Sequence, residues 1–367
     1  MNKNSLFVLT DVWNTKHPFG FWSSLTRESV LASARPLAEQ KIVITGASSG
    51  IGLQTAKQAV AQGAEVLLVS RNAEALAQIV EEIGAGAGSA VFHAADVGDA
   101  EAMKAAAQAA VDRFGRIDTW INCAGVAIYG KLVDIPFDEH ERLFRTNYFG
   151  VVNGAQAALP YLERSGGTLI TIASIASDIP SPILGAYAAS KHAVKAYIES
   201  LRIELTTAGS AVTITLVKPS GVDTPIGQHA ANHMGAEALI PPPVYDPSIV
   251  ADTILDLIEH PRREITIGGA GRANVLLGEH FPRALQHLSR FFSPLLTDSG
   301  RPPTSRNNLF QPGDDKRVRS GVEPGRAFSL YTVAARHRTV TALSVAGLAA
   351  AAFAVRRARL SAGSRSA

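Results

Sequence analysis

Between Gln40 and Gly269, short and almost continuously apolar runs alternate with stretches of helical length, and this alternation leaves few folds open. The runs are Lys41–Thr45, Glu65–Ser70, Ala90–His93, Thr119–Asn122, Thr168–Ala173, Ala211–Val217 and Glu264–Ile267. A strand that is apolar on both faces needs cover on both faces. The stretches between them repeat apolar residues every three or four positions. One example is Met103, Ala106, Ala110, Val111 and Phe114, with Asp99 as N-cap and Gly115 as stop. Strand–helix alternation of this kind predicts an α/β chain with a parallel, doubly wound sheet of about seven strands and right-handed crossovers.

The first run leads straight into Thr45-Gly46-Ala47-Ser48-Ser49-Gly50-Ile51-Gly52, with a helix after it. Gly46 permits a sharp turn, and Gly50 lets a pyrophosphate approach the backbone without meeting a Cβ. Gly52 lets the helix pack closely on the strand, and the helix aims its free N–H groups at the phosphates. Glycines alone would also suit an ordinary βα turn; their place after the first strand and before a helix argues for the phosphate site.

The spacing Thr-Gly-x-x-x-Gly-x-Gly resembles the short-chain dehydrogenase/reductase superfamily over about residues 38–270. The resemblance implies a Rossmann-fold oxidoreductase that uses a nicotinamide dinucleotide, with Gly46, Ser48, Ser49, Gly50, Ile51 and Gly52 as the cofactor turn. At the end of the second strand an acidic residue would hold the ribose hydroxyls and repel a 2′-phosphate. Here Val69-Ser70-Arg71-Asn72 offers a guanidinium instead, which favours NADP(H) over NAD. Ser49 stands where many NADP-using relatives carry a second basic residue. By the same resemblance Asp96 and Val97 meet the adenine ring. Asn122, Ala124 and Gly125 match an Asn-Asn-Ala-Gly motif in which Cys123 replaces the second Asn. Cys123, the only cysteine, is read as a small filler rather than a nucleophile, and no metal site is expected.

Tyr187 and Lys191 stand four residues apart on a helix and project from one face. A tyrosine is a poor base at neutral pH, and an adjacent ammonium favours its phenolate, so Lys191 makes Tyr187 a usable acid/base. Lys191 can also hold the nicotinamide ribose, and so counts with Tyr187 among the cofactor contacts. Ser174, at the end of the fifth strand, can donate to a substrate oxygen as charge develops there. The family's fourth catalytic member corresponds to Asn147, which holds a water beside the lysine. After the sixth strand, Pro219-Ser220-Gly221-Val222-Asp223-Thr224 departs from the family's Pro-Gly-x-Val-x-Thr at Ser220. The local backbone path is therefore in question, while Pro219 and Thr224 stay on the cofactor side. The expected activity is hydride transfer between NADP(H) and a secondary alcohol or ketone. The lid region from Pro225 to Pro247 suits an apolar small-molecule substrate. A catalytically silent cofactor-binding or scaffold protein on the same fold is the competing class, but a pure binder has no need of the tyrosine.

The organisation expected is an N-terminal extension (1–37), the dinucleotide-binding domain (38–272), an amphipathic helix with a flexible Pro/Gly-rich linker (273–331) and a basic, Ala-rich tail (332–367). The helix candidate carries Phe281, Leu285, Leu288, Phe292 and Leu295. The chain's net charge of +3 is uneven: from Arg301 on, Lys and Arg exceed Asp and Glu by about nine, leaving the rest acidic. The apolar run Leu6–Leu9 is too short for a secretory signal, so a cytoplasmic location is expected. The segment 339–355 is either a membrane-associated helix or an Ala-rich soluble one. No nucleic-acid partner is expected. Family analogy suggests a homo-oligomer through the helices near Phe137–Leu159 and Tyr187–Thr207.

Overall fold

The computed structural model describes residues 35–84, 87–292, 296–303, 307–314, 316–322, 324–337, 339–344, 346–347 and 353. The N-terminal extension, with Trp13, Phe19, Phe21 and Trp22, lies almost wholly outside the described residues. Seven parallel strands form one sheet: β1 Lys41–Thr45, β2 Glu65–Ser70, β3 Ser89–Ala94, β4 Thr119–Asn122, β5 Thr168–Ile172, β6 Thr213–Pro219 and β7 Glu264–Ile267. Their spatial order is β7-β6-β5-β4-β1-β2-β3, so the winding reverses between β1 and β4. The predicted sixth strand, Ala211–Val217, is displaced by two residues. Ser210 and Val212 stay in the preceding turn, where the Val212 N–H donates to Ser210 Oγ (3.3 Å).

Helices α1 Gly50–Ala61, α2 Ala73–Ile83, α3 Ala100–Phe114, α4 Phe137–Phe144, α5 Gly150–Ser165, α6 Gly185–Thr207 and α7 Pro247–Glu259 connect the strands. The period of two in β1 sorts its side chains between two cores. Ile42 and Ile44 pack with Leu53, Ala56, Val250 and Ile254 of α1 and α7. Val43 faces the other way, towards Met103, Ala106, Val151, Val194 and Ile198 of α3, α5 and α6. Each large aliphatic side chain so buried contributes about 1.5–3 kcal/mol. Helix α3 begins and ends as expected: Asp99 accepts from the N–H groups of Glu101 and Ala102, and Gly115 closes it in the left-handed region.

Beyond the sheet come α8 Gly269–His280, α9 Pro282–Phe292 and α10 Leu330–Arg336. The amphipathic helix expected around Phe281–Leu295 begins only at Pro282, as α9, with Phe291 exposed; Phe281, also exposed, ends α8 instead, and Leu295 lies outside the described residues. The stretch expected to be a flexible linker is a correction. Its described residues 307–314 and 316–322 are tied to the domain by hydrogen bonds and an ion pair. Leu309 is 1% exposed, in a cluster with Val126, Ile128, Ile135 and Leu143. No helix among the described residues is long and apolar enough to cross a membrane, and much of 339–355 lies outside them.

Candidate active site

At the C-terminal edge of the sheet, where β1 and β4 diverge, lies a continuous cavity of about 330 Å³. Ligands of open α/β sheets bind at this reversal. Its wall runs from Arg71 and Asn72, past the Gly46–Gly52 turn, to Tyr129, Ser174, Tyr187, Ile240 and Leu296. The wall also holds Asp96, Val97, Ala124, Gly125, Lys191, Pro219 and Thr224.

The glycine turn is built for close approach. Gly46 has φ +69°, and a Cβ there would lie 2.6 Å from Ala124 Cα. Thr45 Oγ1 fastens the same contact by accepting from the N–H groups of Cys123 (3.1 Å) and Ala124 (3.2 Å). This puts the end of β4 against the turn and opens a floor between them.

Ser174, Tyr187 and Lys191 share one corner of the cavity. Ser174 caps the short turn Ile175–Ser177: its Oγ accepts from the Ala176 N–H (3.1 Å), and its own N–H donates to Ser177 Oγ (3.2 Å). Because the hydroxyl oxygen already accepts, its proton is left to donate. Just beyond, Asp178 pairs with Lys195 (2.5 Å) and Lys218 (2.9 Å). Burial alone would raise this carboxyl, but the two ammonium groups outweigh it and hold it below the usual carboxylate range. The ion pairs thus brace the loop that carries Ser174.

Lys191 is 4% exposed, and its ammonium donates to the Ile172 carbonyl (2.9 Å). It lies 5.7 Å from the centre of the Tyr187 ring. Burial pushes the ammonium down to about 8. Tyr187 presents part of its ring to the cavity, yet its phenol sits deep enough that burial pushes it up to about 12, with a hydrogen bond from Ser174 pulling back. Desolvation therefore outweighs the phenolate-stabilising effect expected of the lysine, and Ser174 supplies the opposing pull. Cys123 also faces the cavity, its thiol pushed up to about 12 by burial, which makes it a weak nucleophile.

Two expected residues do not line the cavity. Asn122 turns away from it, and its Oδ1 accepts from Trp120 Nε1 (2.8 Å). Asn147, fully buried in the π-helical turn Arg145–Phe149, spends its amide on the protein. Its Oδ1 accepts from the Val126 N–H (2.8 Å), while Nδ2 donates to the Val126 carbonyl (2.9 Å) and Ser190 Oγ (3.0 Å). Ser190 Oγ in turn donates to the Tyr187 carbonyl (2.7 Å), so Asn147 braces the first turn of α6.

At the far end, Asp96 is bound by the Gly98 N–H (2.9 Å) and by Arg142 (2.6 Å). Burial would raise the carboxyl, but these partners keep it below its ordinary value. Arg142 had no signature in the sequence; it reaches Asp96 from α4, 46 residues away. Arg71 Nη1 donates to the carbonyls of Leu309 and Phe310 (both 3.3 Å), and Nη2 to those of Asn308 and Gln311. Burial and the neighbouring Arg142 lower its ordinary value while Asp96 pulls it back; the group stays cationic.

Ser220 fits where the family carries glycine because two other glycines make room for it. A Cβ on Gly268 would lie 2.1 Å from Ser220 Oγ, and one on Gly271 2.5 Å from Ser220 Cβ. Thr224 faces the turn, with its side chain 3.3 Å from where a Gly50 Cβ would be.

Residues 40–235 match the family model described as short chain dehydrogenase. An uncharacterized oxidoreductase, YxnA, of Bacillus subtilis (strain 168) is 37% identical over 329 residues, spanning 88% of this chain and 92% of its own. A dehydrogenase/reductase SDR family member 7B of Bos taurus is 36% identical over 203 residues, 53% of this chain and 62% of its own. Among solved structures, an alcohol dehydrogenase from the archaeon Thermococcus sibiricus, complexed with 5-hydroxy-NADP, superposes with TM-score 0.55. It is 26% identical and covers 62% of this chain and 94% of its own. A short chain dehydrogenase/reductase from Burkholderia phymatum in complex with NAD gives TM-score 0.60 at 26% identity, covering 66% and 94%. By sheet order, glycine turn and sequence likeness alike, the chain belongs to the short-chain dehydrogenase/reductase superfamily of oxidoreductases.

Proposed function

We propose that the protein transfers a hydride between NADP(H) and a secondary alcohol or ketone, with Tyr187 as the proton-transferring residue. The reading rests on one observation above all: Ser174, Tyr187 and Lys191 line the same cavity as the glycine turn. The cavity suits a dinucleotide in shape and in charge. Closely packed glycine backbone and Ala124 line it, and so does the cationic guanidinium of Arg71.

When bound, the nicotinamide ring supplies or takes the hydride at the substrate carbon. Ser174, whose hydroxyl hydrogen-bonds the Tyr187 phenol, would turn that proton to the substrate oxygen and so stabilise the charge that develops there. Tyr187 gives the oxygen its proton in reduction and removes it in oxidation. Lys191, tied to the Ile172 carbonyl, places a positive charge beside the phenol and can hold the ribose. Asn147 acts one layer back, as a positioning residue for Val126 and the start of α6. Arg71, with no acid beside it at the end of β2, favours the 2′-phosphate and hence NADPH over NADH. Among relatives in solved structures, one binds 5-hydroxy-NADP and another NAD, so the family accommodates both. The remaining wall, with Tyr129, Leu184, Ile226, Ile240 and Leu296, favours an apolar substrate.

The test is a panel of ketones and aldehydes run with NADPH and NADH side by side. Consumption of NADPH well above that of NADH, on apolar ketones, is the expected result. No consumption of either across the panel, with purified folded protein, would refute the reading.

A further inference from the structure

Part of the C-terminal segment lines the cavity, and its contacts to the domain run mainly through backbone carbonyls. Four consecutive carbonyls, those of Asn308, Leu309, Phe310 and Gln311, accept from the two terminal nitrogens of Arg71. Next to them the Gly313 carbonyl accepts from Asn72 Nδ2 (3.1 Å). The Arg317 carbonyl then accepts from the N–H of Gly50, the first residue of α1 (3.0 Å). Asn308, Pro312 and Gly313 line the cavity together with Ser48, Ser49 and Arg71.

Both ends of the segment are pinned. At one end Leu309 is buried beside Val126, Ile128 and Ile135, the Asn308 N–H donates to the His229 carbonyl (2.8 Å), and the Leu309 carbonyl accepts from Arg142 Nε (2.9 Å). At the other, Arg319 forms a two-pronged pair with Asp246 (2.7 and 3.0 Å), and the Ser320 N–H donates to Asp223 (2.9 Å). The strap therefore runs from the β2 side of the sheet reversal to the β6 side, over the glycine turn.

Carbonyls fix a guanidinium without cancelling its charge, whereas a carboxylate would do both. The nearest acid, Asp96, is already paired with Arg142. Arg71 is thus oriented by neutral dipoles: its terminal N–H groups are taken by the strap, while its positive charge stays uncancelled and its Nε–H is left to meet an anion in the cavity. We propose that the strap, residues 307–314 and 316–322, is part of the cofactor site: it holds the Arg71 charge where a ribose phosphate would lie, and it covers the dinucleotide once the Arg317 carbonyl yields the Gly50 N–H to a phosphate. This rests on the reading of the protein as NADP(H)-dependent. It extends that reading by giving the C-terminal segment a share in choosing the cofactor.

The test uses the full chain. Equilibrium NADPH and NADH affinities are measured for the wild type, Leu309→Ser, Arg71→Ala and the double variant. Unpinning the strap with Leu309→Ser weakens NADPH by about 10-fold and NADH by clearly less, so the preference falls. In the Arg71→Ala background the same substitution leaves the preference unchanged, because the strap acts through that guanidinium. Arg319→Ala, at the opposite and exposed anchor, gives the same trend should Leu309→Ser fold poorly. A trypsin time course on the wild type provides a second readout, since NADP⁺ slows cleavage at Lys316, Arg317 and Arg319. The proposal is overturned if strap variants keep the wild-type preference, or if unpinning tightens both cofactors, as a plug would. Wild type that binds neither nucleotide would instead sink the functional reading itself.

Discussion

The two ends of the cavity handle charge in opposite ways. At the Ser174–Tyr187–Lys191 corner an ammonium is buried with a single carbonyl as its hydrogen-bond acceptor, and burial displaces both it and the phenol from their ordinary values. At the Arg71 end every charge is surrounded: Asp96 by Arg142 and an N–H, Arg71 by four carbonyls. The first arrangement costs folding energy: burial brings the ammonium towards neutral pH and takes the phenol away from it. The second fixes a cation in place by neutral dipoles and leaves its charge uncancelled. A site that both moves protons and grips a dinucleotide can divide the two tasks along its length.

This division can be broken at either end. The largest effect is expected for Lys191→Met, which should reduce turnover by about 10²–10⁴-fold. The same variant tests the cost of burial. The Lys191 ammonium titrates near 8 in the folded protein, below the 10.5 of the unfolded chain, so between these values the unfolded state binds more protons. Wild-type stability should therefore rise with pH from 8 to 10 by about 2 kcal/mol relative to Lys191→Met, in denaturant titrations. Equal slopes for the two proteins would remove the strained-ammonium account. Above pH 10 Tyr187 works in the other direction: the unfolded phenol ionises first, and stability falls again. The smallest effect belongs to the other end. Arg71→Ala should weaken NADPH by about 10- to 100-fold, move NADH little and leave turnover at saturating cofactor near wild type. A comparable loss for both nucleotides would mean that Arg71 serves structure rather than recognition.

The same contrast explains what could be read from sequence. The Tyr187–Lys191 corner is local: the two residues share one helical turn, and Gly46–Gly52 is one turn after one strand, so spacing alone reveals them. The sheet is legible for a similar reason, since buried parallel strands must be apolar on both faces. Arg71 was legible as a cation at the end of β2, but not the means by which it is held. Its partners are backbone carbonyls some 240 positions away, and a carbonyl leaves no mark in a sequence. The Pro/Gly-rich composition of that stretch suggested a linker, although hydrogen bonds, an ion pair and buried Leu309 tie its described residues to the domain. Asn122 and Asn147 belonged to matching motifs, yet both face the protein interior. A motif gives residue type and order, while the direction of a side chain depends on neighbours such as Trp120 and Ser190.

The most direct measurement separates binding from chemistry in one variant. Tyr187→Phe, compared with wild type on a ketone that wild type reduces, should bind NADPH within about 3-fold of wild type and lose turnover by 10²-fold or more. Turnover that survives the loss of the phenol oxygen would contradict the assignment of proton transfer to Tyr187, and with it the division of labour along the cavity.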